Sequence, residues 1–132
     1  SNFSIFSTAS SEVAGGFVTH TTDSSFLDFC SLNWSTGSIR FRLDTAVQEL
    51  SVSIAQSTLY SVCYVFSSGS VDMYLDNALI GDVTVSNATF TIDQMLRVGQ
   101  DDSSNELLIV SGLISESDRY NINKNINDFY GI

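Results

Sequence analysis

Along most of its length the chain alternates apolar and polar positions in short runs. Ser38–Leu43 is the cleanest case, with Ile39, Phe41 and Leu43 on one side and Arg40 and Arg42 on the other. A period of two marks a half-buried strand, because successive side chains of extended backbone point to opposite faces. Two strand–turn–strand units stand in tandem between Tyr60 and Gly99. The first joins Tyr60–Phe66 to Val71–Asp76 through a turn at Ser67–Ser70. A second reversal at Asp76–Ala78 leads into Leu79–Val85, and Leu96–Gly99 follows. Val71, Met73 and Leu75 share one face of their run, and Asp72, Tyr74 and Asp76 share the other. Further strands are predicted at Phe3–Phe6, Gly16–Thr19, Phe26–Leu32, Glu49–Ile54 and Glu106–Leu113. Strands recurring at intervals of about ten residues, with Ser, Gly, Asn and Asp between them, indicate an antiparallel all-β sandwich.

The period changes at the end of the chain, where a helix is predicted over about 115–130. Ser115 is a good N-cap, with Glu116 in the first turn and Asp118 placed to complete a capping box. Ile122, Ile126, Phe129 and Tyr130 make one apolar stripe. Asn121, Asn123, Asn125 and Asn127 are poor helix formers, so this helix depends on packing its stripe against the strands. Gly131 sits where a helix ends in a left-handed residue.

At 132 residues the chain is long enough for one domain, spanning 1–132, and too short for two. A formal charge of -10 with only five scattered Lys and Arg excludes nucleic acid, which needs a basic surface, and an anionic membrane likewise. No apolar run reaches bilayer length, Leu107–Val110 being the longest aliphatic stretch, so membrane insertion is not expected. A first residue Ser suits removal of an initiator Met; a complete small protein and a mature fragment of a precursor both remain open. Cys30 and Cys63 form either one disulfide across a long loop or a pair of small buried hydrophobes. Sequons begin at Asn2, Asn33 and Asn87, as many as chance gives in a chain this rich in Ser and Thr.

With strands and helix placed, the chain resembles the concanavalin A-like jelly rolls of the laminin-G-like and pentraxin-like group. Met73–Gly81 fits that family's pattern of a strand, an Asp-Gly turn and a strand ending in Gly; Leu96–Gly99 fits the strand that follows. Asn77 stands where the family carries Gly, and Asn also tolerates positive φ. The variable loop, buried strand and short closing segment of the family match 101–105, Glu106–Val110 and Leu113–Ser115. The helix closing in Tyr130, Gly131 and Ile132 resembles the ending of such domains in bacterial and bacteriophage proteins. The likeness is close over the second half of the chain and rests on strand pattern in the first.

The resemblance implies a jelly-roll β-sandwich with one short C-terminal helix. It implies a non-enzymatic structural or binding module, foremost a bacteriophage capsid decoration, tail or fibre protein. Such a protein would sit at a virion or extracellular surface, as an oligomer docked to other virion or surface proteins. The alternative is a free carbohydrate-binding lectin, assisted by calcium.

Candidate chemistry is sparse. Hydrolases of this fold need two or three carboxylates alternating along one strand to flank a glycosidic bond, and no such motif occurs. Asp72 and Asp76 share a face around Tyr74, where exposed acids are ordinarily solubilising. A triad would need a His, and His20 has no nucleophile motif beside it. Cys–His metal spacings are absent. Calcium ligands are available in 99–106, from Asp101, Asp102 and Asn105, with Asp23 and Asp28 as further donors; acidic loops in so acidic a chain need no metal to explain them. For a sugar, an exposed aromatic ring beside carboxylates or amides is the useful arrangement. Trp34, in a turn-like segment, and Tyr74, flanked by Asp72 and Asp76, are the rings that fit, or they cover neighbouring strands instead.

Overall fold

The computed structural model describes residues 2–11, 15–21, 26–43, 46–84, 95–98 and 105–132. In chain order the strands are β1 (Asn2–Ala9), β2 (Gly15–Thr21), β3 (Phe26–Asn33), β4 (Ser38–Leu43) and β5 (Ala46–Ser51). They continue as β6 (Tyr60–Ser67), β7 (Ser70–Leu75), β8 (Ala78–Thr84), β9 (Met95–Val98) and β10 (Leu107–Ser111), and helix α1 (Glu116–Tyr130) closes the chain. Two compact units interleave along the sequence. The first, from 1–8, 59–89 and 105–132, holds a sheet in the order β10-β1-β6-β7-β8 together with α1. The second, from 9–58 and 90–104, holds a sheet in the order β5-β4-β3-β2-β9.

Every strand predicted from alternation is present; the strand predicted over Glu106–Leu113 is the shorter β10, and Val85 and Gly99, the expected ends of two others, lie outside the described residues. The strand predicted over Glu49–Ile54 is β5, Ala46–Ser51. Its length is fixed by β4, whose first residue Ser38 pairs with Ser51. Beyond that point the ladder ends where the Val52 N–H donates to the Gly37 carbonyl at the β3–β4 turn. Gly37 is required there: its φ is +61° and a Cβ would lie 2.5 Å from the Val52 carbonyl oxygen.

Both hairpins of the tandem unit turn in two residues. Ser67 pairs with Ser70 across Ser68 (φ 41°) and Gly69 (φ 98°), and Leu75 pairs with Ala78 across Asp76 (φ 49°) and Asn77 (φ 71°). Two consecutive positive φ values give the turn twist that matches right-twisted strands. Asn77 thus occupies the left-handed position that the family pattern gives to Gly.

In the first unit β6 is buried on both faces. Val62, Tyr64 and Phe66 join Val71 and Met73 on one side. Cys63 and Val65 pack on the other with Phe6, Tyr74 and Ile126, so that α1 covers this face. Cys63 is a free, buried thiol in that cluster, which decides its pairing; the side chain of Cys30 lies outside the described residues.

The ends of α1 are as predicted. Ser115 is extended (φ -71°, ψ 153°), and its Oγ accepts from the Asp118 N–H at 3.1 Å while donating to Asp118 Oδ2 at 2.7 Å. Gly131 is left-handed (φ 71°) and its N–H donates to the Asn127 carbonyl. The buried stripe differs. Ile126 is buried and Ile122 and Tyr130 half-buried, but Phe129 is 79% exposed. Arg119 and Asn123 are buried in its place. At 100° per residue Phe129 lies at the margin of a stripe centred on Arg119, Ile126 and Tyr130.

Candidate functional site

The face that carries Asp72 and Tyr74 is the one beneath α1; Asp76, expected on the same face, stands instead in the β7–β8 turn, where its φ of 49° breaks the alternation. Tyr74 is only 7% exposed, and the Arg119 guanidinium lies 3.8 Å above its ring centroid. Arg119 is held from three sides. Its Nε and Nη2 donate to the two carboxylate oxygens of Glu116 at 3.0 and 2.6 Å, and its Nη1 donates to Asn77 Oδ1 at 2.8 Å. Asn77 Nδ2 in turn donates to the Tyr120 carbonyl at 3.3 Å, so the β7–β8 turn grips the first turns of the helix. The Tyr74 hydroxyl donates to Glu116 Oε2 at 3.4 Å. Arg119 occupies the stacking face that a sugar would need. The sequence gives half a signal for this clamp, the i, i+3 pairing of Glu116 with Arg119, and none for Asn77.

The acids around this face are perturbed by their surroundings. Burial pushes the Asp72 carboxyl above its ordinary value, and Asp82, opposite it on β8, pushes the same way. Asp76 is raised by burial, partly offset by the Ser61 N–H that donates to its Oδ1 at 2.9 Å. Asp76 is therefore a turn acceptor. Glu116 is held below the usual carboxylate range, chiefly by its hydrogen bonds from Arg119. Burial raises the Cys63 thiol to about 12, leaving it protonated and unreactive.

Trp34 lies in the second unit, half-buried in the turn between β3 and β4. Asn33 Oδ1 accepts from the Ser35 N–H (3.2 Å) and Oγ (2.8 Å), which shapes that turn locally. On β4, Ile39 and Phe41 are buried on one face; Arg40 stands half-buried on the other, across from exposed Glu49 on β5. Alternation places Arg40 and Glu49 on this polar face, but only the register makes them neighbours.

Of the calcium candidates, Asp101, Asp102 and Asp23 lie outside the described residues, as does the side chain of Asp28. Asn105 is exposed; its N–H donates to Thr8 Oγ1 at 3.0 Å and its carbonyl accepts from the Tyr130 hydroxyl at 3.4 Å. His20 falls on β2, with its side chain outside the described residues. Among the described residues, no three His, Cys, Asp or Glu side chains converge on a metal position.

No family model matches the chain, and no curated protein sequence matches it. Solved structures do. A heptameric SAP-like pentraxin from Limulus polyphemus superposes with a TM-score of 0.66 at 12% identity, over 92% of this chain and 69% of that one. The Ruminococcus gnavus IT-sialidase CBM40, solved with α2,3-sialyllactose, gives 0.67 at 9% identity over 92% and 82%. Domain 4 of the arabinanase AbnA from Geobacillus stearothermophilus, bound to arabinotriose, gives 0.69 at 13% over 92% and 66%. Against Trypanosoma rangeli sialidase the likeness spans only 22% of the longer chain. These matches lend no support to a bacteriophage virion. At such identities they establish architecture: the chain has the concanavalin A-like, pentraxin-like jelly-roll fold, all-β and antiparallel with one short C-terminal helix.

Proposed function

We propose that the chain is a non-catalytic glycan-binding module. The observation that carries this reading is its superposition, over 92% of its length, on a carbohydrate-binding module that it covers to 82%. Within the chain, the Arg119 guanidinium covers the Tyr74 ring, so this reading assigns the stacking contact to half-buried Trp34. On the polar β4–β5 face, the cross-strand pair Arg40 and Glu49 supplies the charged groups that this reading assigns to sugar hydroxyls.

A glycan array with the purified chain tests this. The expected result is selective binding that falls by about tenfold or more in Trp34→Ala, corresponding to one lost stacking contact. Absence of any glycan signal, or binding unchanged in both Trp34→Ala and Arg40→Ala, refutes it. Repeating the array in chelator tests the calcium-assisted form, which requires that binding be lost.

A further inference from the structure

Among the described residues β10 ends its sheet, and each of its faces carries one exposed apolar side chain. Leu108, on the helix side, is 39% exposed, and Ile109, on the opposite side, is 37% exposed. The strand Leu107–Ser111 contains no charge and no proline, the devices that usually blunt a sheet edge. Its hydrogen-bond phase follows from its pairing with β1. The Thr8 N–H donates to the Glu106 carbonyl and the Gly112 N–H to the Asn2 carbonyl. Hydrogen-bonded pairs alternate along an antiparallel ladder, so residues 106, 108, 110 and 112 turn their backbone groups toward β1. Leu107, Ile109 and Ser111 turn theirs outward, and among the described residues nothing pairs with them.

Beside this edge, on the helix face, lies a groove of about 440 Å³ between β10 and α1. Leu108, Ile122 and Ile126 give it apolar walls, Glu106 and Asp118 give it carboxylates, and no Lys or Arg lines it. On an added strand, the side chain opposite Leu108 would project to this same face. The chemistry that fits is an aliphatic stem ending in a cation, brought to a chain of formal charge -10.

We propose that the open edge of β10, with its neighbouring groove, docks an extended basic segment of a partner protein as an added strand, with a Lys or Arg seated against Glu106 and Asp118. The site is separate from the sugar-binding reading and stands without it. A second copy of this chain is the disfavoured occupant, since two such acidic molecules repel.

The test uses the whole chain, ¹⁵N-labelled, titrated with the capped peptide Thr-Val-Lys-Val-Thr. Three control probes accompany it: the same peptide with Glu for Lys, one N-methylated at alternate amides, and the original peptide against Asp118→Asn. The expected result is perturbation and slowed exchange of the Leu107, Ile109 and Ser111 amides, with about tenfold weaker binding for the Glu peptide. The N-methylated peptide loses binding, because it cannot complete the ladder, and Asp118→Asn weakens it. The proposal is overturned if the β10 amides are unmoved at millimolar peptide, or if the Lys and Glu peptides bind alike. It is also overturned if N-methylation has no effect, or if the β10 amides are already protected in a dimer.

Discussion

Replacing Arg119 by Ala removes the centre of the clamp between α1 and the β7–β8 turn. The guanidinium is 3% exposed, whereas the Glu116 side chain it pairs with is 71% exposed. That asymmetry sorts the contributions. The ion pair is open to solvent on one side and is worth about 0.5 kcal/mol. The hydrogen bond to Asn77 Oδ1, from a charged donor in a part-buried setting, contributes about 1.5 kcal/mol. The stacking on Tyr74 adds about 1–2 kcal/mol, since both groups are largely desolvated. Arg119→Ala should therefore cost about 3–4 kcal/mol, lowering the melting temperature by about 10 °C for a domain of this size. Arg119→Met, which keeps the buried stem, should recover part of the loss, and Glu116→Gln should cost less than about 1 kcal/mol. Urea unfolding followed by circular dichroism measures all three. The pH dependence supplies a second check. Glu116 has a lowered carboxyl in the folded state, so its contribution is complete above the ordinary carboxylate range and fades as the pH falls through the folded value. A loss under about 1 kcal/mol for Arg119→Ala, or an equal loss for Glu116→Gln, would refute this apportioning.

Asn77→Gly should destabilise by about 1–2 kcal/mol, although Gly adopts the turn more easily, because the acceptor for Arg119 and the donor to Tyr120 are lost; chemical denaturation tests it, and a gain in stability would contradict it. Gly37→Ala should cost at least about 2 kcal/mol, because its Cβ would lie 2.5 Å from the Val52 carbonyl oxygen at a left-handed φ, whereas Gly131→Ala, with open space around it, should cost only about 1 kcal/mol. Thermal melting of the two variants side by side gives the ordering. Stability should decline by about 1.4 kcal/mol per pH unit above 9, because the unfolded chain releases the Cys63 proton there while the folded chain holds it to about 12. Urea midpoints from pH 8 to 11 should show that slope flattened in Cys63→Ala; parallel slopes would remove Cys63 as the cause.

Alternation and turn chemistry were sufficient to read the strands, both two-residue reversals and the caps of α1. Those features depend on neighbours along the chain: on Cβ direction, on backbone conformations that Gly and Asn tolerate, and on a hydroxyl three residues from an N–H. Tertiary structure decided what each face meets. Asp72 and Tyr74 read correctly as one face of a strand, whereas Asp76, read onto the same face, is the first residue of the β7–β8 turn; and alternation cannot tell a wet outer face from one roofed by a helix starting forty residues later. Asn77 read as a tolerated substitute for Gly, yet its amide joins β7–β8 to Arg119 and Tyr120, partners that no local pattern links to it. Phe129 read as core and proved exposed, because the side chains of the sheet beneath select which part of a broad helical stripe is buried. The sequence by itself determined where the chain extends, turns and coils, since those choices are local. The pairing of distant segments decided which aromatic ring is closed, which cation is buried and which strand edge is left open.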